Sequence, residues 1–457
     1  MGLLTFLKPI IIWTFLRGLY FGGFITALIS IVRRAEWGLF LMVALIPQPN
    51  ITYKLYGFPL GKDHLDILFA AVFIGIFINK NGYKKSDNAI IILFFLIASY
   101  LSVWNSSLNF QLPMPITKEN QVLVVWKSYF VMIFSYFLTV NAIQDEKHQK
   151  QLAMIMVFVV LFVTLRSYRN FTAGAFFSED SRVEGPFWMV GLGANHYGAF
   201  IAYCYSFVLG MFLVDKEPRR RLVYAATLLL GLHPLFFTYS RGSYLAMICV
   251  LSVYGVLKKK SLLVVIIIII LLWQVILPSS VVERIQMTKT PEGSLEASAA
   301  ARLDLWSASI DMFKQYPKFG SGFNGFSIAH ANEHWSDTHN FYLKTLCEQG
   351  IIGCFLLLLV LVGALRSGWK LFRIGGTAFQ RGLGLGFFGC VIAHIVTNIF
   401  GDRFSYFEMG AYFWVFWGLV DRGMLMAREA INIAPNVEQG EGFSSSMKNE
   451  DVKRGMK

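Results

Sequence analysis

The sequence predicts an all-α polytopic membrane protein with about 12 or 13 transmembrane helices and one large extracytoplasmic loop containing helices. Three observations carry this. Of 457 residues, 55% are hydrophobic and only 15% charged, well under the roughly 25% charged residues of soluble domains. The apolar residues gather into runs near the length of about 20 residues that a helix needs to cross the hydrocarbon core. Lysine and arginine collect in every second connection between those runs, as in cytoplasmic loops.

The runs lie near 17–32, 35–48, 65–79, 89–104, 122–143, 151–166, 190–214, 222–238, 243–257, 261–277, 341–365, 383–400 and 406–426. Leu262 to Leu277 is the clearest. The first two are short and suit a re-entrant or interfacial hairpin, which leaves the count at 12 or 13. Basic connections hold Arg33-Arg34, Lys80 with Lys84 and Lys85, Lys147 with Lys150, Lys216 with Arg219 to Arg221, Lys258 to Lys260, and Arg366 with Lys370, Arg373 and Arg381. The intervening connections 49–64, 105–121, 167–189, 239–242, 278–340 and 401–405 are poorer in Lys and Arg for their length, and therefore face outward. The longest, 278–340, is too long for a simple connector. Within it, Ser298 to Tyr316 reads as an amphipathic helix, with Leu303, Trp306, Ile310 and Phe313 at helical spacing. Pro317 ends it, and Gly320, Gly322 and Gly325 mark a tightly turned loop. Residues 1–434 form the membrane domain; the polar stretch 435–457 reads as a disordered cytoplasmic tail.

The net charge of +13 does not indicate nucleic acid, because the basic residues lie in short clusters between apolar runs rather than on one polar domain. The five cysteines sit in or beside apolar stretches without a C-x-x-C pair, which gives neither a disulfide framework nor a thiolate metal site. Lys8 and Arg17 within the first stretch argue against a cleaved signal peptide.

Four strings on the outward side carry potential chemistry. Tyr239 to Ala246 places Arg241 in a tight turn between spans, where an arginine either snorkels or serves a site. Arg302 and Trp306 lie on the amphipathic loop helix, and Arg302 either faces a substrate or pairs with a loop carboxylate. His339-Asn340 stands where the outer loop enters a membrane helix; an imidazole titrates near neutrality and suits general-base work. Gly193 to Gly198, with His196, begins another span and reads more simply as packing.

Together these strings resemble the O-antigen ligase family, which includes related glycan polymerases. The likeness rests on Ser240-Arg241-Gly242-Ser243 with Leu245-Ala246, on Arg302 with Trp306, on Pro317 with Gly320 and Gly322, and on His339-Asn340 with Leu343, Glu348, Gly350 and Gly353. It covers about 190–425; the first 150 residues match only as hydrophobic spans. The resemblance implies transfer of a glycan from a polyprenyl-diphosphate carrier to an acceptor hydroxyl on a lipid, glycan or protein. It implies inversion, no metal or nucleotide cofactor, and an active site on the outer face of the bacterial cytoplasmic membrane. By position, Arg241 and Arg302 match the family's diphosphate-holding arginines and His339 its catalytic histidine. Asn340, Asp402, Arg403 and His196 are supporting candidates. Ligase and polymerase differ only in the acceptor, and the sequence does not choose between them.

Two other readings remain. His330, Glu333 and His334 fit H-x-x-E-H, the inverted zinc-protease pattern, although no apolar-periodic helix surrounds them. Many spans broken by Gly and Pro also suit a secondary transporter, but no paired halves are evident.

The alternation of basic loops makes a direct prediction. In a cysteine-free background, cysteines at Arg220 and Lys259 should resist an impermeant thiol reagent in intact cells, and a cysteine at Glu292 should react. Labelling at 220 but not at 292 would invert the orientation.

Overall fold

The computed structural model describes residues 2–79, 83–168, 177–287, 297–330 and 337–454. Glu292, Glu333 and His334 lie outside them. The described residues form seventeen α-helices and no strand. In chain order these are α1 (Gly2–Val32), α2 (Ala35–Leu45), α3 (Pro49–Leu55), α4 (His64–Ile78), α5 (Ala89–Asn109), α6 (Gln121–Ala142), α7 (Glu146–Ser167), α8 (Ala194–Val214), α9 (Pro218–Phe237), α10 (Arg241–Leu257), α11 (Ser261–Ile276), α12 (Ser279–Gln286), α13 (Ala297–Gln315), α14 (Gly325–Ala329), α15 (Phe341–Ile374), α16 (Ala378–Thr397) and α17 (Phe407–Arg454).

Every predicted run falls on one of these helices, but the predicted span count is not reached by length and composition. Among the described residues, α1, α5, α6, α7, α8, α15 and α16 are long and apolar enough to cross a bilayer. An eighth appears if α11 and α12, bent by 104°, count as one. The apolar helices α2, α4 and α10 are shorter; the eleven residues of α2 rise only about 16 Å. The last helix continues to Arg454, through the stretch that composition reads as a disordered tail.

Local chemistry sets several helix starts. Asn120, Asp145 and Thr377 accept hydrogen bonds from the backbone amides of Leu123, His148 and Gln380, capping α6, α7 and α16. At the centre, α8 and α16 are the most enclosed of the long apolar helices. Their backbones nearly touch: a Cβ on Gly210 would come within 2.4 Å of the Gly386 Cα, the close approach that small residues permit between membrane helices. The Tyr254 hydroxyl of α10 donates to the carbonyls of Ser206 and Leu385, 2.8 and 2.9 Å away, and ties a third helix to this pair. By contrast α11 is apolar nearly all round and buries only Ile266, as a lipid-facing helix does.

The loop helix α13 matches the predicted boundaries to one residue, yet it is rotated from the expected face. Leu305 and Met312 are buried against Phe326 of α14 and Cys347 of α15, while Leu303 and Ile310 are 50% and 41% exposed. Periodicity alone did not distinguish two adjacent stripes; docking on α14 and α15 selects the one that includes Leu305.

Candidate functional site

The site begins with a backbone junction. The chain after Pro317 threads between the end of α5 and a break in α15, where Gly350 takes φ 66° and ψ −167°. Ser321 N–H donates to Cys347 O (2.8 Å), Gly322 N–H to Glu348 O (2.9 Å), and Ile351 N–H to Pro317 O (3.0 Å). From α5, the Asn105 and Asn109 amides donate to the carbonyls of Gly320 and Ser321, at 2.6 and 2.8 Å. The Glu348 carboxylate accepts from Asn324 N–H at 3.0 Å. Side chains do not fit here: a Cβ on Gly320 would meet the Glu348 carbonyl carbon at 2.2 Å, and one on Gly350 the Lys318 oxygen at 2.3 Å. Two glycine strings that are separate in sequence therefore form one clamp, which holds α13 beside the head of α15.

At the N-terminal part of α13 lies a cavity of about 370 Å³ whose wall includes Arg241, Arg284, Arg302 and Arg403. They come from four places: the first turn of α10, the short helix α12, α13, and the loop after α16. Tyr239, at φ 50°, makes the turn that delivers Arg241, and its hydroxyl donates to Ser280 of α12 at 2.9 Å. Trp306, Leu303 and Phe400 supply an apolar side. Among the described residues no carboxylate lines this cavity. The N-terminal turn of α10 opens onto it, where the helix dipole adds positive potential. Such a wall suits a multiply charged anion of phosphate type, which guanidinium forks bind bidentately. Arg403 is buried, which pushes its pKa down to about 10, against the opposing pull of Asp337, Tyr406 and Asp402; it stays charged near neutrality.

His339 does not line that cavity, but Arg302, Arg403 and Asp402 are among its electrostatic neighbours. Its backbone takes φ 50°, an uncommon conformation for a residue with a side chain. The Thr338 hydroxyl donates to Asn340 O (2.8 Å), and Asn340 Oδ1 accepts from the amides of Tyr342 and Leu343 at 3.0 and 3.1 Å. Asn340 therefore caps α15, which accounts for it structurally and aims the preceding histidine. Asp337 Oδ2 stands 3.7 Å from His339 Nδ1, close enough to orient the ring electrostatically. Burial lowers the His339 pKa below its ordinary value; Asp337 opposes this and the Arg302 and Arg403 cations add to it.

The remaining candidates divide. Asp402 is fully buried, accepts from the Phe404 and Ser405 amides, and pairs with Lys344 Nζ at 2.8 Å. Burial would raise its pKa, but the Lys344 ammonium and these hydrogen bonds hold it below the usual carboxylate range. His196 packs edge-on against Tyr406 at 5.2 Å between ring centroids. His330, the described member of the H-x-x-E-H string, lies 3.0 Å from the Phe326 carbonyl through Nδ1 and packs on the Phe326 ring. Among the described residues no three His, Cys, Asp or Glu side chains group closely enough to hold a metal ion. Sequence reasoning missed Arg284, Asp337 and Lys344. Lys344 carried a usable signal, being a lone cation in the first turns of an apolar helix; Arg284 did not, because only the α11–α12 bend brings it here.

Residues 226–358 match the family model described as O-antigen ligase. The match contains Arg241, Arg284, Arg302, His339 and the whole glycine clamp except its α5 partners; His196, Asp402 and Arg403 fall outside it. No curated protein matches the sequence.

The clamp has a measurable consequence. Gly350→Ala should lower Tm in detergent, since it forces strained backbone worth about 1–3 kcal/mol and a clash with Lys318 O. Limited trypsin digestion after the exposed Lys318 should accelerate. An unchanged Tm and digestion rate would show that the junction does not hold the loop.

Proposed function

We propose that this membrane protein, which carries an O-antigen ligase family domain, transfers a glycan from a polyprenyl-diphosphate carrier to an acceptor hydroxyl at the outer face of the bacterial cytoplasmic membrane. The observation that carries the reading is the cavity where four arginines from four elements meet with no carboxylate in its described wall, and whose Arg302 and Arg403 adjoin His339. The acceptor's hydroxyl oxygen attacks the anomeric carbon while its proton passes to His339. Asp337 faces Nδ1 and so favours the tautomer with Nε2 free to accept. The bond from the anomeric carbon to the diphosphate oxygen breaks, its electron pair leaves with the diphosphate, and attack from the opposite side inverts the configuration. Negative charge grows on the leaving diphosphate, where Arg241 and Arg302, supported by Arg284 and Arg403, stabilise it in low-dielectric surroundings.

If the forks matter as well as the charge, Arg241→Lys and Arg302→Lys should keep part of the donor affinity and lose much of kcat. The alanine variants should lose about 100- to 1,000-fold in kcat. Wild-type transfer by both alanine variants, at normal expression, would remove the arginines from the reaction.

His339 must be neutral to accept a proton, so the rate should rise with pH through a pKa below about 6.5 and plateau by neutrality. His339→Ala should lose roughly 100- to 10,000-fold while donor binding persists. Asp337→Asn removes the carboxylate that raises this pKa, so the acid limb should move to lower pH while the rate falls. His330→Ala and His334→Ala should transfer normally. An active His339→Ala enzyme with an unchanged pH profile would exclude it as the base, and inactive His330→Ala and His334→Ala enzymes would favour metal chemistry.

A further inference from the structure

A second and larger cavity, of about 820 Å³, uses the same loop as a wall: Arg403 faces the arginine cavity, whereas Ser405 and Tyr406 face this one. Its lining comes mainly from the first third of the chain, including Tyr53, Tyr56, Asp66, Lys127 and Tyr129, and reaches Lys344 on α15. Tyr53, Tyr56, Asp66 and Lys344 lie at helix ends or loops that the basic-loop alternation places on the outward side, and Lys127 and Tyr129 lie in the second and third turns of α6, which begins on that side.

The two walls differ in charge. No arginine lines the larger cavity among the described residues, and Asp63, Asp66 and Glu408 stand in it beside Lys62, Lys127 and Lys344. Carboxylates repel a diphosphate but accept hydrogen bonds from hydroxyl groups. Tyr53 and Tyr56 stack with ring centroids 4.8 Å apart, and are 39% and 45% exposed. Lys127 and Asp66 form an exposed ion pair. The Tyr129 hydroxyl is buried and has no hydrogen-bond partner among the described residues. Flat apolar faces edged by alternating donors and acceptors match a sugar ring, with its C–H faces and its rim of hydroxyls. Neither a lipid tail nor a phosphate has both.

We propose that this cleft binds the sugar portion of the acceptor, with Tyr53 and Tyr56 as its stacking platform and Asp66, Lys127 and Tyr129 as hydroxyl partners; the assignment rests on the glycan-transfer reading above. The acceptor hydroxyl then approaches His339 along the 402–406 loop, from the cleft that holds Tyr406, while the donor diphosphate occupies the arginine cavity. The cleft residues before 131 lie outside the stretch 226–358 that matches the O-antigen ligase family. Acceptor choice is thereby assigned to a part of the chain separate from the matched chemistry.

The test uses the full chain in detergent and two water-soluble probes: core oligosaccharide from deacylated lipopolysaccharide, and a delipidated repeat-unit oligosaccharide. Saturation-transfer NMR measures their binding, and a transfer assay gives KM for donor and lipidated acceptor separately. One of the two probes should bind the wild type and identify the acceptor class. The Tyr53→Ala/Tyr56→Ala double variant should bind that probe and the acceptor roughly tenfold more weakly, with donor KM and kcat unchanged. The Tyr53→Phe/Tyr56→Phe variant keeps both faces and should stay near wild type, which controls for misfolding. Wild-type affinity in the alanine variant, a matching rise in donor KM, loss of binding in the phenylalanine variant as well, or no binding of either probe would overturn the assignment. Failure of the wild type to transfer any glycan would overturn the reaction instead, since sugar binding is read without turnover.

Discussion

The arrangement depends on one constraint: a backbone broken beside an apolar bilayer must find its hydrogen bonds elsewhere in the protein. At Gly350 the helix α15 gives up its regular ladder. The loop 317–322 supplies what is lost, through Ser321 and Gly322 to the carbonyls of Cys347 and Glu348, and through Pro317 O to the Ile351 amide. Each such bond contributes about 0.5–1.5 kcal/mol net, but leaving a buried group unpaired costs about 1–3 kcal/mol. The break and the loop are thus stable only together. Because α13 precedes that loop and His339 precedes α15, the same bonds fix Arg302 relative to the histidine.

Charge organises the rest. Asp402 is buried and already committed to Lys344 and two backbone amides, so it is a poor partner for a further cation. Glu179 approaches Arg284 at 3.7 Å but is 63% exposed, and water screens such a contact. The described wall of the arginine cavity thus carries four guanidinium groups and no carboxylate, an arrangement that suits the preorganisation a developing diphosphate charge requires. A site built this way needs no rearrangement of dipoles during the reaction, because the charges stand in place before the anion arrives.

Much of this was legible in the residues. Hydropathy located all thirteen apolar runs on helices, since a bilayer leaves a long helix few alternatives. The loop helix was bounded to one residue because Pro317 cannot continue it and Leu303, Trp306, Ile310 and Phe313 recur at helical spacing. Arg241 and His339 stood out as unusual residue types at predicted interfaces, whereas Arg302 on the loop helix read equally as a surface ion pair, and the family resemblance singled out all three. The span count was less legible: helices as short as α2 and α4 carry the same local hydropathy as full spans, and only their length in the fold separates them. The face of α13, the arrival of Arg284 and the pairing of Lys344 with Asp402 depend on contacts across tens of residues, which no local pattern encodes. Asn340 shows the converse case. Its place in a family string suggested chemistry, while the hydrogen bonds it accepts show a helix cap.

His339 stands between a carboxylate and two arginines that act on it in opposite directions. Burial and the Arg302 and Arg403 cations favour the neutral imidazole, while Asp337 opposes them. A neutral ring is the form a general base needs, yet a depressed pKa also makes it a weaker base. Under the proposed reaction, a diphosphate entering the arginine cavity brings negative charge beside those same cations and offsets their effect on the ring. The imidazole then becomes the stronger proton acceptor when the donor is in place. By reciprocity, whatever donor binding adds to the proton affinity of His339, protonation of His339 adds to donor affinity. In that proposal the arginines act twice, once on the leaving group and once on the base, because the same cations border both the cavity and the ring.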